Sequence, residues 1–80
     1  MAELHIGAEY DRQAHRRLKD ALRRAGAKRV GSFRGMFGSQ EISNATFAIV
    51  GGRVRVEAET YRGVIVSGDE EAISVLKRHL

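Results

Sequence analysis

Apolar side chains at Ala14, Leu18, Ala21, Leu22 and Ala25 recur every three to four residues, and the positions between them are almost all polar. That spacing predicts an amphipathic helix over residues 8–25. Glu9 and Asp11 would fall in its first turn and Arg23 and Arg24 in its last, an arrangement that complements the helix dipole. Gly26 stands where a helix of this length needs a left-handed residue beyond its end. The short segment 3–6 ahead of it reads either as a frayed tail or as an edge strand.

The pattern then changes to a period of two. Residues 28–33 read as a strand, and the glycine-punctuated stretch that follows predicts a loop over 35–39. Two β-type runs, 45–50 and 53–59, meet across Gly51-Gly52, which predicts a two-residue hairpin turn. That turn would set Val50 against Arg53, Ile49 against Val54, Phe47 against Val56 and Ala45 against Ala58. One face of the ribbon is then wholly apolar, made of Ala45, Phe47, Ile49, Val54, Val56 and Ala58. Gly63 permits a turn or bulge before a short buried strand at 64–66. Ser67 and Glu70 have capping-box spacing and predict a final helix over 69–79, with Ile73, Leu76 and Leu80 on its inner face.

These elements define an α+β domain spanning 1–80. A small antiparallel sheet of three or four strands would be covered by an N-terminal long helix and a short C-terminal helix, in α-β-β-β-α order. A sheet with one apolar face has to be covered, and the two amphipathic helices are the available material. Eighty residues support a thin core, which makes a homo-oligomer compatible with the sequence.

Composition narrows the function classes. With no cysteine there is no disulfide framework and no thiolate zinc site. No apolar run approaches the roughly 20 residues of a membrane span. The start, Met1 to Ile6, lacks the basic opening and apolar run of a signal peptide, so the cytoplasm, or a phage or virus particle assembled there, is the expected location. The net charge of +4 is uneven: residues 1–40 carry nine Lys/Arg against four Asp/Glu, and residues 41–80 carry five against six. Of the 14 basic residues 11 are arginine, whose planar fork grips phosphate or carboxylate. A GC-rich genome would produce the same excess through its codons.

Arg12, Arg16, Lys19 and Arg23 are spaced by four, three and four, so on a helix they form one ridge opposite the Ala/Leu stripe. Arg17 and Arg24 flank it, and Lys28 and Arg34 continue the basic stretch. Four cations along about 16 Å of helix match several phosphates of a nucleic acid or an acidic protein surface. A solvated outer face is the alternative, although such faces usually mix signs. Phe33, Met36 and Phe37 among flexible glycines would serve as an anchor loop that stacks unpaired bases or enters a partner's pocket. Equally, Phe33 would belong to a strand while Met36 and Phe37 fold back to plug a thin core. Arg53, Arg55, Arg62 and Tyr61 share the hairpin's polar side with Glu57 and Glu59, where ion pairing accounts for them. His5, His15 and His79 share no ligand spacing, so no metal site, cofactor or catalytic residue is assigned. An Ala/Leu face without large aromatics is too small for membrane insertion.

The helix–three-strand–helix order is similar to that of double-stranded-RNA-binding domains and of the small proteins of the signal recognition particle's Alu portion. The likeness is of element order. Where the RNA-binding domains open their last helix with a lysine cluster, this chain has Ser67-Gly68-Asp69-Glu70-Glu71, which is acidic. The expected function is a non-catalytic module that docks a negatively charged partner on the helix ridge, nucleic acid first and RNA rather than duplex DNA. The alternative is a protein-interaction module, such as a phage or mobile-element inhibitor or an assembly component.

Overall fold

A computed structural model describes residues 1–8, 11–38, 40–59 and 63–80. The elements in chain order are β1 (Ala2–Gly7), α1 (Arg12–Arg24), β2 (Lys28–Phe37), β3 (Gln40–Ile49), β4 (Gly52–Glu59), β5 (Gly63–Gly68) and α2 (Glu70–Lys77). The five strands form one sheet in the order β1-β5-β4-β3-β2, and every neighbouring pair is antiparallel. The expected α+β class and antiparallel sheet are present, with more strand than expected. Segment 3–6 is part of a true strand that pairs with β5 from Ala2↔Gly68 to Gly7↔Val64. The loop expected over 35–39 is largely strand as well, because Phe37 pairs with Gln40 and leaves only positions 38 and 39 between β2 and β3. With a strand first and four strands between the helices, the element order departs from that of double-stranded-RNA-binding domains.

Helix α1 is shorter than the 8–25 expected. Asp11 is its N-cap rather than a first-turn residue, and its carboxylate accepts a hydrogen bond from the Ala14 amide at 3.0 Å. Glu9, the other acidic residue expected in that turn, lies outside the described residues. The far end closes as the sequence predicts. Gly26 has φ +72°, its amide donates to the Arg23 carbonyl at 3.1 Å, and the Ala27 amide donates to that of Leu22 at 2.9 Å. Those two bonds make a Schellman cap and fix where the chain turns into β2.

The β3–β4 hairpin keeps its expected faces but not its expected register. Ile49 pairs with Gly52 and Phe47 with Val54, a slide of two residues, so Val50 and Gly51 form the turn. A slide of two preserves side-chain facing, and Phe47, Ile49, Val54 and Val56 still point toward the helices. Helix α2 accounts for the slide. A side chain at Gly51 would sit 2.9 Å from the Ala72 amide nitrogen, and one at Gly52 would collide with the Asp69 carboxylate. Both glycines are therefore spent on close approach to α2, and Gly51 also needs φ +95°.

The cap of α2 differs too. β5 runs through Gly68, so Ser67 is still strand and Asp69 is the N-cap. The capping box expected between Ser67 and Glu70 does not form. The Asp69 carboxylate instead accepts from the Arg53 amide at 3.0 Å, and the Asp69 amide donates to the Arg53 carbonyl at 3.1 Å. This pair of bonds clamps the start of α2 to β4. The α2 inner face is Ala72, Ile73 and Leu76, while Leu80 is 38% exposed and not part of it as expected. Leu18, Ala21 and Leu22 of α1 meet that face over Ile49, Val54, Val64 and Val66 of the sheet.

Leu76→Ala should destabilise the fold by about 2–5 kcal/mol, since Leu76 is fully buried and the space it leaves cannot collapse completely. Asp69→Ala should cost about 1 kcal/mol for the lost bond to Arg53, and Leu80→Ala less than about 0.5 kcal/mol. Urea unfolding followed by circular dichroism ranks the three.

Candidate functional site

Helix α1 lies across the sheet with Ala14, Leu18, Ala21 and Leu22 buried. Its opposite side therefore carries every basic residue of the helix into solvent: Arg12, Arg16, Arg17, Lys19, Arg23 and Arg24 are all exposed. Asp20 reaches one of them. Its carboxylate pairs with the Arg23 guanidinium at 3.0 Å, one turn away. Among the described residues, no carboxylate pairs with Arg12, Arg16, Arg17, Lys19 or Arg24. Arg12 and Arg16, and Lys19 and Arg23, are like charges at i,i+4, an arrangement that works against an isolated helix by a few tenths of a kcal/mol per pair.

The ridge opens into a groove at the C-terminal end of α1. Lys19, Leu22 and Arg23 form one wall, Ala27 and Arg29 the other, and Phe47 the floor, around a volume of about 410 Å³. Arg29 arrives there by register. It pairs with Phe47, so it shares the helix side of the sheet. Arg29 is absent from the residues assigned from sequence, because its face depends on its strand partner. The adjacent basic pair Lys28-Arg29 directly after a helix end was the available hint.

The other assigned residues separate. Lys28 is exposed at the start of β2 opposite Ala48, on the side of the sheet away from the helices. A bulge between Arg29 and Gly31 leaves Val30 without a β3 partner and reverses the facing of every later β2 residue. Arg34 and Met36, opposite Ser43 and Glu41, consequently fall on the helix side. Phe33, opposite Asn44, falls on the open side, where its ring covers Gly35, and a side chain at Gly35 would come 2.8 Å from that ring. The expected anchor loop is thus a strand whose residues face both ways, and Phe33 and Met36 are 51% and 67% exposed. Phe33 belongs to a strand, as the alternative reading had it, whereas Met36 does not plug the core, and the Phe37 side chain lies outside what the structure describes.

A second groove of about 460 Å³ on the open side carries both signs of charge, with Arg53, Arg55 and Glu57 among its lining. Arg55 and Glu57 pair along the strand at 3.5 Å, the arrangement expected for this ribbon. Tyr61 and Arg62 lie outside the described residues. Among the described residues no charged or polar residue is buried, and no group of three or more His, Cys, Asp or Glu is placed to hold a metal ion. No described helix is long and apolar enough to cross a membrane. The chain matches no protein-family model, no curated protein and no solved structure.

If the α1 cations serve a partner rather than the fold, Arg16→Glu should leave stability within about 0.5 kcal/mol or raise it, since Arg12 and Lys19 then gain an opposite charge one turn away. A loss of more than about 1 kcal/mol in urea unfolding would mark the Arg16 guanidinium as structural.

Proposed function

We propose that this chain is a non-catalytic binding module that docks a polyanion along α1, with nucleic acid, and RNA in particular, as the partner and the cytoplasm as its compartment. One observation carries the reading: five exposed cations on the outer side of α1 have no carboxylate partner among the described residues. Like charges held together without compensation repel, and a bound row of phosphates removes that repulsion. The ridge also leads into the groove of Lys19, Arg23 and Arg29, whose floor is the aromatic ring of Phe47. Cations beside a partly buried aromatic ring suit a phosphate next to an unpaired base, which favours a single-stranded or looped RNA over duplex DNA.

Neutralising about four phosphates of a single strand releases counterions, so the logarithm of the association constant should fall against that of salt concentration with a slope of about −3. Fluorescence anisotropy with a labelled single-stranded RNA measures it. Arg12→Glu with Arg16→Glu should weaken binding at least about tenfold while the fold is retained. An affinity indifferent to salt and to both substitutions would overturn the reading. Salt-sensitive capture of an acidic protein, with no affinity for RNA, would assign the same cations to an acidic or nucleic-acid-mimicking protein surface.

A further inference from the structure

The two edges of the sheet are built differently. β1 has six residues, carries Glu3, and is broken by a register shift between His5 and Gly7. Short length, charge and irregularity are the usual devices that stop an edge from pairing with another chain. The outer edge of β2 is longer, with ten residues, and past the bulge at Val30 its one charge is Arg34. From Gly31 to Phe37 its pairing with β3 is regular, and this stretch contains no proline, no lysine and no acidic residue. Its outward amide and carbonyl groups form a ready template for a sixth strand. Val30, Phe33 and Met36 expose apolar surface along it.

We infer that β2 pairs with β2 of a second copy of this chain, antiparallel about a two-fold axis at Phe33, to make a continuous ten-stranded sheet. The sequence of this edge is symmetric in kind about that residue: Val30-Gly31-Ser32-Phe33-Arg34-Gly35-Met36 reads apolar, glycine, polar, Phe, polar, glycine, apolar. Pairing centred on Phe33 therefore sets each Val30 opposite a Met36, each Gly31 opposite a Gly35 and each Ser32 opposite an Arg34. No two cations of this stretch face each other directly, which matters for a chain of net charge +4. The glycines leave room for the rings. Each Phe33 ring already lies over its own Gly35, and a side chain at Gly31 would meet nothing within 4 Å. The two rings thus occupy the glycine slots on either side of the axis, on the open side of the sheet. An axis normal to the sheet keeps both α1 helices on the same side, so one dimer presents two cationic ridges to a single polyanion.

The absence of native cysteine makes the test clean. Facing residues of an antiparallel pair have Cα atoms about 4.5–5.5 Å apart, within disulfide reach. Phe33→Cys should form a disulfide-linked dimer under mild oxidation on the order of tenfold faster than Val50→Cys, whose site is exposed at the far turn. Wild-type protein should sediment at twice the 8.9 kDa chain mass, and Val30→Lys with Met36→Lys should sediment as a monomer with an unchanged far-ultraviolet spectrum. A monomeric wild type at about 100 μM, well above the concentration at which a useful dimer forms, would overturn the inference. So would cysteines at 33 and 50 that cross-link at equal rates. RNA affinity plays no part in either measurement, so this result and that of the binding assay stand apart.

Discussion

The fold depends on the seating of two short apolar helix faces on the middle of the sheet. Leu18 and Leu22 of α1 and Ile73 and Leu76 of α2 converge on Val54, Val64 and Val66, and the remaining contact positions of the helices are alanines and the partly buried Val75. Alanine lets a helix lie close to a strand, and a short chain has little other material with which to fill a core. Closeness has consequences at the α2 end. The β3–β4 turn can pass beneath Ala72 only as glycine, and Asp69 can hold the Arg53 backbone only because no side chain stands at Gly52.

The same constraint produces the surface. Two helices cover β1, β5 and β4 but leave most of the β2–β3 hairpin beyond their reach, which is why Met36, on the helix side, is exposed, while Phe33 is exposed on the open side. An uncovered hairpin beside a helix makes a concave corner. The groove of Lys19, Arg23 and Arg29 is that corner, and the cationic side of α1 is its rim. The cationic groove and the exposed hairpin thus arise from one shortage of covering material.

Charge and packing are separable here. Each basic residue of α1 lies outside the apolar stripe, so removing charge should leave the core packed. The open side of the sheet behaves otherwise, since Arg55 is satisfied along its own strand by Glu57 and Arg53 takes part through its backbone in anchoring α2.

Local pattern alone determined the α1 stripe, its outward cations, the Gly26 terminus and the apolar side of the β3–β4 ribbon, because each depends on periodicity or on a turn within a few residues of itself. Other features needed a partner distant in the chain. β1 is a strand because β5 offers it an edge, and Gln40 to Asn44 pair despite a polar sequence because β2 and β4 flank them. The hairpin slid by two residues because α2 claims both glycines. The facing of Arg29 depended on its partner Phe47, that of Phe33, Arg34 and Met36 turned on one bulge at Val30, and a period-two pattern carries no mark of where the count slips. Tertiary contact decided these because backbone hydrogen bonds accept almost any side chain, so strand pairing is chosen by what lies alongside.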